Sequence, residues 1–410
     1  MPTPKDPRSA VILPFRRRDP NAPPPDRDPI QAREKRINAR FEREIDGLLA
    51  QIGPEEDVTA RIARLEQEGT AKAAADLPMI YLVRSMRREL DQDLSGALAD
   101  AEHALELAPD DVDVLRTAAK LRARRDEPGS IALLDRAAQI APTDPRNYLL
   151  RGEILAEAGD HERAITNFNR AITLDPTSRA AYAGLAESFE ALGRIEDAIT
   201  ACTAALRLDP NNAGLRYARA FYHREKGDTE AEIRDLDRVI KLRPNEPYAI
   251  GDRAAAHASL GRSKQAIADY TRAMQLEPDE STFPSARSVL HLQAGALDLA
   301  IADLTIAIRL KPSSAAFSWS RAVARHASGD LEGAIGDYEL AITKEPKETH
   351  LRASLARCLF TVGRTADALR VNAEGLALEP DNVELLLDRA EILRRGGDDD
   401  AAPEALEKRP

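Results

Sequence analysis

Apolar residues along most of this chain recur at steps of three and four residues, which places them on one face of an α-helix. From Pro247 to Pro278, two such helical segments meet at Gly261 and a proline follows the second. The same arrangement recurs every 34 residues, a period typical of a helical solenoid. The markers of the period are Pro142, Pro176, Pro210, Pro244, Pro278, Pro312, Pro346, Pro380, and Gly159, Gly193, Gly227, Gly261, Gly295, Gly329, Gly363, Gly397.

Each marker has a physical reason. A glycine after the first helix allows the left-handed conformation that ends a helix, without a Cβ penalty. A proline after the second helix cannot continue it. Small residues such as Ala254 and Ala266 recur in facing helices, so that the two helices can approach closely. We therefore predict an all-α fold, an α-solenoid of antiparallel helix pairs.

An apolar or aromatic residue such as Phe168 or Tyr270 follows each small pair, and an alanine comes three residues later. With the small residues and the proline, this 34-residue pattern resembles the tetratricopeptide repeat family over roughly Pro78 to Gly397. The resemblance implies a right-handed superhelix in which the first helix of each pair lines a concave groove. It also implies a scaffold that binds peptides or protein segments.

The repeats define the predicted domains. Residues 1–29 form a Pro/Arg-rich tail expected to be disordered, and residues 30–77 a helical cap whose second helix runs from about Glu55 to Ala73. About nine repeats follow over 78–380, then a capping helix over 381–397 and an acidic tail over 398–410. The irregular second repeat is predicted to turn at Asp126–Gly129, and Pro284 to shorten a first helix at its start.

The tail contains an apolar run, Val11–Phe15, followed by Arg16, Arg17 and Arg18. One interpretation is a short docking motif for an acidic or membrane partner. The other is a solvated tail in which these residues cluster by chance. The sequence leaves both open.

The formal net charge of −11 is unevenly spread, because residues 1–40 hold 10 Lys/Arg against 5 Asp/Glu. The remainder is strongly acidic, which argues against nucleic acid or an anionic membrane as a partner. No apolar run near the N-terminus is long enough to span a membrane. Cys202 and Cys358 lie too far apart in a straight array to pair, which favours reduced thiols and a cytoplasmic location. Abundant alanine, arginine and aspartate favour a bacterial source.

No catalytic or cofactor motif occurs: HExxH, CxxC, GxSxG and GxxxxGK[ST] are all missing. His223, His257 and His291 lie 34 residues apart, but equivalent positions in adjacent repeats are about 8–10 Å apart, too far to share one metal ion. We therefore interpret them as packing residues and predict no catalytic residue, no cofactor and no metal.

Arginine and aspartate form two further ladders with the same period. Arg253 and Asp269 are each eight residues from Gly261, so an antiparallel hairpin brings them level. We predict structural ion pairs here, each worth about 0–1 kcal/mol if exposed to solvent. The ladders are Arg219, Arg253, Arg287, Arg321 and Asp235, Asp269, Asp303, Asp337.

Helical rotation of about 100° per residue places Tyr248 opposite the packing side of its helix. Stepping by 34 gives a strip that is aromatic or apolar in the middle and acidic in its early repeats, which is typical of a binding surface. The alternative is that these side chains pack against neighbouring repeats. The predicted binding residues are Tyr217, Phe221, Tyr248, Val289, Trp319, Val323, Glu153 and Glu187.

The leading hypothesis is a non-catalytic scaffold that binds a peptide or helical segment of a partner protein in the groove. Leu149, Ala183 and Glu187 stand where the resembling chaperone-binding domains carry a carboxylate clamp, so that use is not expected. A structural subunit that multimerises through its end helices is an alternative, which mass photometry distinguishes by concentration-dependent oligomers. An auxiliary subunit of an enzyme complex is another.

Overall fold

The computed structural model describes residues 58–396, which form twenty helices and no strand. The expectations for the tail 1–29, the apolar-basic motif within it, the first cap helix and the acidic tail 398–410 lie outside these residues. The described part divides into an N-terminal unit, residues 58–228, and a C-terminal unit, residues 229–396.

The N-terminal unit contains ten helices, of which eight form antiparallel pairs: α2 with α3, α4 with α5, α6 with α7 and α8 with α9. Their bounds are α1 Val58–Glu68, α2 Ala71–Leu90, α3 Leu94–Leu107, α4 Val112–Arg124, α5 Ser130–Ile140, α6 Pro145–Glu157, α7 His161–Leu174, α8 Arg179–Ala191, α9 Ile195–Leu208 and α10 Ala213–Lys226.

The C-terminal unit also contains ten helices, paired as α12 with α13, α14 with α15, α16 with α17 and α18 with α19. Their bounds are α11 Thr229–Leu242, α12 Pro247–Ser259, α13 Ser263–Leu276, α14 Thr282–Gln293, α15 Leu297–Leu310, α16 Ala315–Ser328, α17 Leu331–Lys344, α18 Thr349–Thr361, α19 Thr365–Leu378 and α20 Val383–Gly396. The α-solenoid prediction is confirmed.

The turn between α12 and α13 shows why glycine marks the period. Gly261 has φ +71, and the N–H of Arg262 donates to the carbonyl of His257 at 2.9 Å across it. This is the left-handed ending that closes a helix and that only glycine adopts freely. The irregular turn at Asp126–Gly129 is also confirmed, because α4 ends at Arg124 and Gly129 has φ +92.

The start of the array differs from the prediction. The helix expected to reach Ala73 ends at Glu68, because Gly69 is left-handed at φ +56 and the Thr70 hydroxyl accepts the N–H of Ala73 at 3.1 Å. The next helix, α2, continues through Pro78, so the boundary drawn at that proline falls inside a helix. Buried side chains such as Ile80, packed against α1, hold α2 together through it.

The shortened helix at Pro284 is confirmed: α14 has 12 residues and begins at Thr282, with Pro284 at its third position. Proline is accepted there because the N–H that it lacks would have no partner within the helix.

Aromatic side chains fill the space that glycines leave between repeats. Phe168 is 1% exposed and lies under both Gly152 and Gly184. A Cβ built on Gly152 falls 2.7 Å from Phe168 Cε1, and one on Gly184 falls 2.4 Å from Phe168 Cζ. The two helices can cover this ring only because both positions lack a side chain.

The final helix, α20, packs where the repeat pattern breaks. Asn372 stands at the usual aromatic position and is fully buried, and its side-chain amide donates to the carbonyl of Leu385 at 2.8 Å. A Cβ on Gly375 would fall 2.8 Å from Leu385 Cδ1. These two departures from the pattern therefore accommodate α20.

The arginine and aspartate ladders form buried pairs in the C-terminal unit. Arg287 donates from Nε and Nη2 to the two carboxylate oxygens of Asp303 at 2.8 and 2.6 Å. Arg253 with Asp269 and Arg321 with Asp337 repeat this geometry. The predicted pairing of Arg253 with Asp269 is confirmed. The assumption of solvent exposure is wrong, since Asp303 and Asp337 are each 3% exposed.

Each of these arginines also contacts the preceding second helix. The Nη1 of Arg253 donates to Asp237 of α11 at 2.7 Å, and that of Arg287 donates to Thr271 of α13 at 2.6 Å. One guanidinium therefore joins its own hairpin to the previous repeat. This fork geometry suits arginine and not lysine.

Candidate functional site

The first helices of successive pairs approach one another directly. In the N-terminal unit α2 contacts α4, α4 contacts α6 and α6 contacts α8. In the C-terminal unit α12 contacts α14, and α18 contacts α20. The side of each unit that carries the first helices is therefore the closely spaced, inner one. We call the exposed and half-buried residues of the first helices on that side the inner face.

The inner face of the N-terminal unit is acidic on α6 and α8. Glu153 and Glu187 are both exposed. Surrounding protein raises the pKa of Glu153, and the charges of Glu157 and Glu187 raise it further while Lys120 opposes them. A carboxylate that is exposed to solvent yet desolvated by its neighbours lies in a concave surface. The two predicted acidic residues are therefore brought together.

The same inner face is aromatic on α10. Tyr217 and Phe221 are half-buried. The Phe221 ring lies 5.7 Å from that of Tyr222, and the Arg224 guanidinium lies 5.1 Å from the Phe221 centroid. The Tyr222 hydroxyl donates to Glu190 of α8 at 3.0 Å, which ties the aromatic helix to the acidic one.

In the C-terminal unit, Trp319 and Val323 are half-buried and pack against one apolar cluster. The Trp319 indole N–H donates to the Ser354 hydroxyl at 3.4 Å, and its ring lies edge-on to His350 at 5.8 Å. Trp319 therefore packs against the next first helix and also presents part of its ring at the surface.

Tyr248 and Val289 are also half-buried. The Tyr248 ring lies 5.8 Å from Phe283, and its hydroxyl is 3.5 Å from Glu280. Tyr248 thus contributes to packing between repeats, as the alternative interpretation holds.

One charged cluster on the inner face was not among the predicted binding residues. The Nη1 of Arg357 donates to Glu384 at 2.7 Å and to Asp388 at 2.9 Å, which links α18 to α20. Burial raises the pKa of Asp388 to about 6 against the opposing charge of Arg357, and Glu384 adds to the rise. Asp388 lies 31 residues after Arg357, so a search at steps of 34 cannot find it.

The shifted pKa predicts a pH dependence of stability. Between the ordinary carboxyl pKa and about 6, folded Asp388 holds a proton that the unfolded chain releases. This group therefore stabilises the fold as pH falls through 6, and destabilises it as pH rises. We expect Asp388→Asn to raise the melting temperature at pH 7.5 more than at pH 5. Asp381→Asn, at an exposed position, is the control, and an equal change at both pH values would contradict the assignment.

The histidine ladder lies in the packed interior. His257 and His291 belong to α12 and α14, and burial lowers the pKa of both. His291 Nε2 is 3.7 Å from Asp303 Oδ2, so it extends the arginine–aspartate pair. Between residues 58 and 396 no group of three or more His, Cys, Asp or Glu side chains is arranged to hold a metal ion. Over the same residues no helix is long and apolar enough to cross a lipid bilayer.

Paired helices of constant period, with an inner face on the first helices, define a helical repeat protein. Two family models, both described as Tetratricopeptide repeat, match the chain. One matches residues 149–213, 285–348 and 354–409, and the other residues 223–291. Together they cover more than half of the sequence. The chain belongs to the tetratricopeptide repeat family.

Solved structures with a similar fold include three repeat proteins. YrrB, described as a TPR protein with an unusual peptide-binding site, is 19% identical over 48% of this chain and 97% of its own, with a TM-score of 0.41. A tetratricopeptide repeat protein from Parabacteroides merdae ATCC 43184 is 16% identical over 61% and 99%, with a TM-score of 0.44. MamA from Desulfovibrio magneticus RS-1 is 21% identical over 41% and 96%, with a TM-score of 0.38. No curated protein matches the sequence.

Proposed function

We propose that this protein is a non-catalytic scaffold that binds a peptide or helical segment of a partner protein on its inner face. Its tetratricopeptide repeats support a protein–protein interaction scaffold as the general class. The observation that carries the finer proposal is the half-buried aromatic and apolar side chains of the first helices. Such side chains, packed on one side and open on the other, are typical of binding hot spots.

Each unit supplies its own candidate anchors. In the N-terminal unit these are Tyr217 and Phe221, beside the acidic residues Glu153 and Glu187. In the C-terminal unit Trp319 is the main anchor, with Val289 and Val323 beside it and Tyr248 on α12. The acidic residues favour a partner segment with a basic flank, because complementary charge speeds and orients association.

The test is capture of partners by the tagged full-length protein from its native host, read by quantitative mass spectrometry. We expect Phe221→Ala with Trp319→Ala to lower recovery of specific partners at least tenfold, since a hot-spot side chain contributes 2 kcal/mol or more. The matched control is Leu208→Ala with Leu299→Ala, which removes exposed apolar side chains from the second helices α9 and α15.

Melting curves of both double variants establish that the repeats remain folded. Unchanged partner recovery by the folded Phe221/Trp319 variant contradicts the proposal. An equal loss in the control variant also contradicts it, because binding would then involve the second helices.

A further inference from the structure

The acidic part of the N-terminal inner face contains negative charge that its surroundings leave uncompensated. Glu153 and Glu157 make no hydrogen bond or ion pair with any residue between 58 and 396. The nearest cation that acts on Glu153 is Lys120, whose Nζ lies 2.7 Å from Glu89 Oε1. A cationic group supplied from outside these helices would relieve the repulsion among the glutamates.

The aromatic part of the same face adjoins these glutamates. The Tyr222 hydroxyl bonds to Glu190 of α8, and the charge of Glu187 acts on Tyr222. Phe221, next to Tyr222, packs at the edge of the same apolar cluster. Along this inner face an aromatic surface on α10 therefore leads into an acidic surface on α8 and α6. A fitting ligand has an apolar stretch followed by a basic one.

The chain itself contains a segment of this kind outside the described residues. Val11–Phe15 is apolar, and Arg16, Arg17 and Arg18 follow directly. The segment lies in the basic first 40 residues, whereas the rest of the chain is acidic. Pro14 disfavours a helix here and favours an extended backbone, which suits a groove lined by helices.

The distance along the chain permits intramolecular contact. About 40 residues separate Arg18 from the start of α1. They span about 60 Å even if wholly helical, at 1.5 Å per residue. Neighbouring helices are spaced by about 8–10 Å, so α6, α8 and α10 lie within that reach.

We propose that residues 11–18 bind the inner face of the N-terminal unit of the same chain. The arginines contact Glu153, Glu157 and Glu187, and the apolar residues contact Phe221 and Tyr217. The inference rests on the proposed function, since this is the surface that a partner segment would use. The N-terminal segment then acts as an internal ligand that a partner must displace.

Photo-crosslinking of the full-length protein tests this contact. A benzoylphenylalanine at position 15 should form adducts within the same chain, mapped by mass spectrometry to α8 or α10. Glu153→Arg with Glu187→Arg should lower the adduct yield at least tenfold. The matched control is Glu106→Arg with Glu162→Arg, the same charge change at exposed positions of the second helices α3 and α7, and should leave the yield unchanged. Restored yield on adding Arg16→Glu with Arg17→Glu to the Glu153/Glu187 variant supports direct charge pairing.

Three results would overturn the proposal: adducts in the second helices, adducts that join two chains, and a yield indifferent to charge reversal at Glu153 and Glu187. Partner capture separates this inference from the proposed function. If the segment is an internal ligand, Arg16→Glu with Arg17→Glu and Arg18→Glu should raise partner recovery severalfold. Unchanged recovery with these substitutions overturns the internal ligand even where Phe221 and Trp319 prove essential for capture. Adducts on α8 or α10 support the internal ligand even where Phe221 and Trp319 prove dispensable for capture.

Discussion

Replacing Asp337 with alanine should lower the free energy of unfolding by about 3–5 kcal/mol, the usual cost of removing one partner of a buried charge pair. Asp337 is 3% exposed and accepts two hydrogen bonds from Arg321, at 2.8 and 2.6 Å, and one from Arg325 at 2.9 Å. Alanine would leave two largely buried guanidinium groups without their carboxylate. Urea unfolding followed by circular dichroism measures the loss.

Two comparisons separate the buried charge from other effects of the substitution. Glu374→Ala removes the exposed partner of Arg370 and should change stability by only about 0–1 kcal/mol. Replacing Arg321, Arg325 and Asp337 together by leucine should cost less than Asp337→Ala alone, because an apolar group can replace a complete buried ion cluster at little net cost. A loss below about 1 kcal/mol in Asp337→Ala would show that the cluster contributes no more than a surface pair.

Gly184→Ala should destabilise the N-terminal unit by about 1–3 kcal/mol, the usual cost of overpacking a filled core. The added methyl would lie 2.4 Å from Phe168 Cζ, and Gly152 closes the other side of the ring at 2.7 Å. The ring therefore cannot move aside. This steric cost should exceed the gain of about 1 kcal/mol in helix propensity that alanine brings.

Gly336→Ala is the matched control, because Gly336 lies inside α17 with no atom within 4 Å of the added methyl. It should stabilise by about 0.5–1 kcal/mol. Phe168→Leu in the Gly184→Ala background should recover part of the loss, since the smaller side chain leaves room. Equal effects of Gly184→Ala and Gly336→Ala in thermal unfolding would contradict the packing described here.

The repeated parts of the fold are the parts that the sequence predicts well. Glycine, proline and the 34-residue step determine where helices end, and the equal distances of Arg253 and Asp269 from Gly261 predict their pairing. The burial of these pairs was not predicted, because it depends on a third helix that belongs to the preceding repeat. The break at Gly69 was missed because α1 and α2 precede the regular glycine and proline markers.

The candidate site was predictable to the extent that it follows the period. Stepping by 34 residues found the acidic and aromatic positions of the inner face, and these remain proposals for binding. It did not reveal that Trp319 also bonds to Ser354, since a side-chain direction between repeats is not visible in a period. It also missed Asp388, because α20 follows a helix pair as a single helix.

The paired arginine and aspartate have a consequence for insertions and deletions. In each pair the two residues lie 16 positions apart across a turn. Adding or removing one residue in that turn would rotate the carboxylate by about 100° around its helix and break both hydrogen bonds. The α4/α5 pair has Ala118 and Leu134 at these positions, and its repeat, between Pro109 and Pro142, is 33 residues long. Where the polar pair is present it holds the turn to one length, and where it is replaced by apolar residues the turn is free to lose a residue.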